Sequence, residues 1–144
     1  MTRNVAILIR VICITLIFCA PDLYAKTPQL IVNADNVEES LTRNTLRAIF
    51  SMRVHRWPDG TPVSVFVLPD AHPAHRSFAR EVLSLFPHQL RRSWDRYVYS
   101  GIGTAPIEVK SEKDMVHKVA TVPGGIGYTG GEVSEENVRT LFVQ

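Results

Sequence analysis

The feature that most restricts what this chain can fold into is the placing of its two cysteines, Cys13 and Cys19, inside an N-terminal segment built like a secretory signal. Arg3 and Arg10 precede an apolar run from Val11 to Ala20, and Leu23-Tyr24-Ala25 then offers a small residue at a cleavage point. The run is ten residues long, well short of the ~20 that a bilayer span needs. Cleavage after Ala25 is therefore expected, with a retained N-terminal anchor as the alternative. Pro21 disfavours cleavage after Ala20, and the bulky Phe18 argues against a lipoprotein site at Cys19. Once residues 1–25 leave, the chain works in the periplasm without a single cysteine, so packing alone must stabilise it in a compartment that permits disulfides. The remaining 119 residues, 26–144, suffice for one compact domain with a core and are too few for two. Of 16 Lys and Arg and 14 Asp and Glu, the signal takes Arg3, Arg10 and Asp22, leaving 14 basic against 13 acidic. That near balance argues against nucleic acid as a partner.

Strand and helix patterns alternate through the rest. Leu30-Ile31-Val32 reads as a strand that ends in the turn-prone Asn33-Ala34-Asp35-Asn36. Thr42 is positioned to cap a helix carrying Leu46, Ile49 and Phe50, with Leu41 and Leu46 as a hydrophobic staple. Pro58-Asp59-Gly60 breaks the chain before Val63 to Leu68, a β-branched run stopped by Pro69 and typical of a buried strand. Phe78, Val82, Leu85 and Phe86 fall at i, i+4, i+7 and i+8, and Leu90, Trp94, Tyr97 and Val98 repeat that spacing, which predicts two helices, the second opened by Pro87. Gly101, Gly103 and Pro106 make a loop before the strand Ile107-Glu108-Val109. Ser111 and Asp114 outline a capping box for a helix through Met115, Val116, Val119 and Ala120. After Pro123-Gly124-Gly125, Ile126-Gly127-Tyr128 reads as a strand with a close backbone approach at Gly127, and Leu141-Phe142-Val143 closes the sheet. The expected class is α/β, a mixed sheet flanked by helices.

The order of segments carries a resemblance. Leu41-Thr42, Ile49-Phe50, Trp57-Pro58-Asp59-Gly60 and Pro123-Gly124-Gly125-Ile126-Gly127-Tyr128 together resemble the phosphate-type periplasmic substrate-binding proteins of ABC transporters. The resemblance spans Ile31 to Tyr128. It implies one lobe of a type II periplasmic binding protein, because full-sized members are roughly twice as long and close two α/β lobes over a ligand. A single lobe supplies half the contacts and cannot bury an anion by closure.

The family grips its oxyanion with a segment reading approximately arginine-x-aspartate-glycine-serine-glycine-threonine, followed after three residues by phenylalanine. Hydroxyls, a guanidinium and backbone N–H groups converge there at a helix start. Aligned on Asp70 and Phe78, this chain has Leu68, Ala71, His72, Pro73 and Ala74 at the other motif positions. Losing one charge-assisted contact costs ~1.5–3 kcal/mol and each hydroxyl about 1, so the resemblance implies a degenerate oxyanion site. Asp70, His72, His75, Arg76 and Ser77 remain as candidate ligand-binding residues, since His72, His75 and Arg76 crowd the helix start and Ser77 adds a hydroxyl. The bland alternative is a solvated helix cap. A metal held by Asp70, His72 and His75 is a further alternative, opposed by the stiffness of Pro73 and the lack of a fourth ligand.

Two basic groups, Arg43, Arg47, Arg53, His55 and Arg56, and Arg91, Arg92 and Arg96, could dock an acidic partner or anionic lipid, or simply solvate two helices. Trp94 and Tyr97 read as core, whereas Trp57 beside Pro58 could plug the core or face a partner. The catalytic inventory is poor. No cysteine follows residue 25, there is no glycine-x-serine-x-glycine elbow, and Gly124-Gly125-x-Gly127 lacks a P-loop lysine. The expectation is a non-catalytic binding module without cofactor, in an accessory or sensory role with a membrane or periplasmic protein partner. The runner-up is a true phosphate or oxyanion receptor of a transporter, and the third reading is a hydrolase or metal enzyme around Asp70, His72 and His75.

Overall fold

The computed structural model describes residues 26–144; the signal expected over 1–25 lies outside the described residues. Six strands form one mixed sheet in the order β2-β6-β1-β5-β3-β4. They are β1 (Gln29–Asn33), β2 (Ser40–Leu41), β3 (Ser64–Val67), β4 (Ile107–Glu108), β5 (Gly125–Thr129) and β6 (Val138–Val143). β1 runs antiparallel to both β5 and β6, whereas β3 lies parallel to β5 and β4, and β2 parallel to β6. The C-terminal strand β6 enters the sheet between β2 and β1, and the short β2 forms that edge. Leu30 to Asn33 and all of β5 are buried, the pattern of strands covered on both faces.

The helices are α1 (Arg43–Phe50), α2 (Pro73–Ser77), α3 (Pro87–Tyr99) and α4 (Glu112–Thr121). The caps form where the sequence places them. Thr42 accepts from the Thr45 N–H, Ser111 accepts from the Asp114 N–H, and Pro87 stands in the first turn of α3. α4 lies against one face of the sheet: a β-carbon at Gly127 would sit 2.4 Å from the Met115 sulfur, so a side chain there would force Met115 to move. The opposite face is aromatic. Tyr128 stacks on Phe78 at 4.0 Å between ring centroids, Phe78 meets Phe50 at 4.8 Å, and the Trp94 Nε1 donates to the Phe50 carbonyl at 2.7 Å. α1, α2 and α3 thus share one core beneath that face. Trp57 is also buried and donates from Nε1 to the Gly124 carbonyl, so it plugs the core. Gly124 itself has φ +73°, and a β-carbon there would collide with the Pro62 carbonyl.

The helix predicted over Phe78 to Phe86 takes a different course. α2 starts earlier, at Pro73, and passes into a π-helical turn over Phe78–Val82, in which the Leu83 N–H bonds the Phe78 carbonyl. This wider turn buries Phe78, Ala79, Val82 and Leu83 and ends at Ser84, whose φ is +52°. Leu85 is left half-buried, and Phe86 is exposed as the N-cap of α3. A period of 3.6 residues applied through a π turn therefore assigns these last two residues to the wrong face. Val98 is exposed as well, because the last turn of α3 extends past the core that Leu90 and Trp94 fill.

Candidate functional site

The segment carrying the candidate residues leaves β3 at Leu68 and enters α2. Its five side chains do not converge. His72 is the N-cap of α2, and its Nδ1 accepts from the Ala74 N–H at 3.2 Å, so the imidazole is spent on the helix that it starts. Arg76 points outward and donates to the Ala71 carbonyl at 2.8 Å. Asp70 receives a two-pronged hydrogen bond from Arg91, at 3.0 Å to Nε and 2.9 Å to Nη2, which neutralises it and raises the Arg91 pKa. Ser77 lines a neighbouring open cleft.

His75 is turned inward and is 0 % exposed. Its Nδ1 lies 2.5 Å from the Tyr128 hydroxyl, which also accepts from the Leu68 N–H at 2.9 Å. The phenol proton has no other acceptor among the described residues, so the arrangement that uses it has Tyr128 donating to Nδ1, with the His75 proton assigned to Nε2. That Nε2 has no hydrogen-bond partner and lies 3.7 Å from the Asp70 carboxylate. Burial pushes the His75 pKa down, against the upward pull of Asp70, with Arg91 and His72 adding to the fall. Burial likewise pushes the Tyr128 pKa up. Neutral His75 is thus a polar pin between α2 and β5. Among the described residues, no three or more His, Cys, Asp or Glu side chains are grouped to hold a metal ion, and Asp70, His72 and His75 do not form such a group.

The cleft beside Ser77 contains a feature absent from the sequence reading. Its lining joins Pro73, Ala74 and Ser77 of α2 to Glu112, Gly130 and Gly131, with Lys26 and Pro28 at its side and a volume of ≈ 410 Å³; the Lys26 ammonium lies 3.7 Å from the Glu132 carboxylate. There the Glu112 Oε2 accepts from the Thr129 hydroxyl at 2.7 Å, the Gly130 N–H at 2.6 Å and the Gly131 N–H at 3.2 Å. A hydroxyl with two successive backbone N–H groups is the donor set of an anion nest. Burial pushes the Glu112 pKa up, but these three hydrogen bonds outweigh it and hold the carboxyl below its ordinary value. The nest is therefore occupied by the chain's own carboxylate. No local signal marks this pairing, because Glu112 reads only as an acidic residue in a helix first turn, 17 residues before Thr129.

The arginines sort differently from their two sequence groups. Arg76, Arg91 and Arg92 surround a shallow depression with Asp70, whereas Arg47 and Arg53 of the first group join Arg92 and Arg96 of the second around a separate groove.

A half-sized α/β lobe with an anion nest beside a short helix start is what the fold and site define. No family model matches the chain, and no curated protein matches it. Its fold is that of solved phosphate-binding proteins. It is similar to an ABC-type phosphate transport receptor from Vibrio cholerae at 14% identity and a TM-score of 0.63, covering 81% of this chain and 46% of that one. A phosphate ABC transporter substrate-binding protein from Clostridium perfringens, described with bound phosphate, gives 16% identity, a TM-score of 0.65 and coverages of 81% and 44%. PstS from Borrelia burgdorferi gives 15%, 0.60, 81% and 47%. The chain thus spans less than half the length of these structures, as one lobe would, and the likeness is one of fold. No helix among the described residues is long and apolar enough to cross a membrane.

Proposed function

We propose that this chain is an exported, non-catalytic binding module derived from one lobe of a phosphate-type substrate-binding protein, whose oxyanion site has degenerated. It acts in the periplasm, after removal of residues 1–25, as an accessory or sensory component that contacts a membrane or periplasmic protein. The observation that carries this reading is the Glu112 carboxylate seated on the Thr129 hydroxyl and the Gly130 and Gly131 N–H groups. A free oxyanion arriving at the α2 start would meet the fixed negative charge of Glu112 where it needs donors. Of the five candidate ligands, His72 and His75 are committed to internal hydrogen bonds, which leaves Arg76 and Ser77, with Lys26 of the same cleft, as donors for a residual, weak anion contact.

Calorimetric titration of the chain with phosphate, sulfate and molybdate tests this directly. No heat is expected at micromolar anion. A micromolar dissociation constant would instead make the chain an oxyanion receptor.

A further inference from the structure

The two arginine groups meet in one place. A groove of ≈ 740 Å³ runs between the C-terminal end of α1 and the outer side of α3, and no Asp or Glu lines it. Arg47 and Arg53 stand on one wall, Arg92 and Arg96 on the other, while Leu85, Tyr97 and Ile102 supply apolar surface. The walls are tied together: Ser93 donates to the Ser51 carbonyl at 3.3 Å, and the Arg47 Nε donates to the Leu83 carbonyl at 2.5 Å. That second bond depends on the π-helical turn, which brings Leu83 inward and delivers Leu85 to the groove. Arg53, Arg92 and Arg96 are exposed and, among the described residues, make no ion pair. A 144-residue chain with near-balanced charge therefore concentrates four guanidiniums around one concave, partly apolar surface.

We propose that this groove docks an extended acidic segment of a partner protein, with the carboxylates of that segment on the four arginines and an apolar side chain against Leu85, Tyr97 and Ile102. Charge complementarity selects an anionic occupant, since each wall presents planar forks suited to carboxylates and none is neutralised internally. Size and shape select the class. A single inorganic anion would engage one or two guanidiniums and leave the apolar surface bare. A flat lipid surface would touch the rim without entering a concavity. An extended peptide alternates side chains to two sides and so reaches both walls while filling the floor. The proposal names the surface and the partner chemistry of the accessory role above and rests on that reading. Its test is independent of phosphate, however, so failure of one is separable from failure of the other.

The probe is a synthetic peptide alternating Glu and Asp with Leu and Phe, titrated by fluorescence anisotropy at low salt. Its Gln and Asn counterpart, inorganic phosphate and phosphatidylglycerol vesicles are run beside it. The acidic peptide should bind in the micromolar range, weaken by about tenfold in the Arg92→Ala/Arg96→Ala double variant, and weaken again with added salt. Arg53→Ala, which lies off the helix, gives a second reading should the double variant lose its fold, and should weaken binding severalfold. The proposal is overturned if the acidic and neutral peptides bind alike, if neither peptide binds, or if both variants bind the acidic peptide as the parent does. Arginine-dependent binding of vesicles without binding of the peptide would also overturn it, making the groove a membrane-facing surface.

Discussion

The cleft at the start of α2 and the groove between α1 and α3 are both places where an anion could be met, and they differ in whether the chain has already met it. At the cleft the nest donors already have an internal acceptor: Thr129, Gly130 and Gly131 hold Glu112, and beside it Arg91 holds Asp70 and Tyr128 holds His75. In the groove Arg53, Arg92 and Arg96 have no carboxylate partner among the described residues. A saturated network stabilises a fold, whereas an unsaturated one is available to a second molecule. The difference teaches why we propose a structural role for the helix start and a docking role for the outer helical side.

The largest expected effect in the cleft follows from Tyr128→Phe. It removes the one hydroxyl that serves both the Leu68 N–H and His75, leaving two buried polar groups without partners. Urea unfolding should show a loss of about 2–4 kcal/mol. An unchanged midpoint would mean that this pin carries no load. Next comes Glu112→Ala, which empties the nest and removes its negative charge. Phosphate affinity should rise by about tenfold over the parent, the equivalent of ~1.4 kcal/mol, as read by calorimetry. Equal affinities would show that Glu112 is not what keeps anions out.

The third effect is a pH dependence. His75 is neutral in the fold and its pKa lies below the ordinary 6.5, so in the acid range the unfolded chain binds a proton that the folded chain refuses. Stability should be fullest above pH 6.5 and should fall as pH drops from there through the lowered folded value. His75→Phe should flatten that part of the profile in thermal melts, whatever it does to the absolute Tm. A slope that persists unchanged would assign the dependence to other groups. The smallest effect belongs to Asp70→Asn. The Asp70–Arg91 pair is geometrically good, but each side chain is 40% exposed. The change should cost only about 0.2–1 kcal/mol, less in high salt.

Much of the fold is legible in the sequence because its signals are local. Thr42, Ser111 and Pro87 act within one helical turn of where they stand, and the apolar runs at Leu30 and Val63 are long enough to mark buried strands. The resemblance to one lobe of a phosphate-type binding protein, read from Ile31 to Tyr128, agrees with the fold of the solved structures. The π turn is not local in this sense, since its extra residue is dictated by how Phe78 and Leu83 pack. The inward turn of His75 was open to inference: it precedes Phe78, Ala79 and Val82 at helical spacing and so belongs to their face. The nest has no such cue. Glu112 and Thr129 come together only when α4 folds onto β5, and the two arginine groups meet only when α1 and α3 pack on one face.

The claim on which the rest depends is that the chain's own carboxylate fills the anion position beside α2. A crystal structure grown in phosphate tests it most directly. Glu112 should remain on Thr129, Gly130 and Gly131, with no ion within hydrogen-bonding distance of those groups or of the His72–Ser77 segment. A phosphate seated on those N–H groups, with Glu112 displaced, would contradict the account.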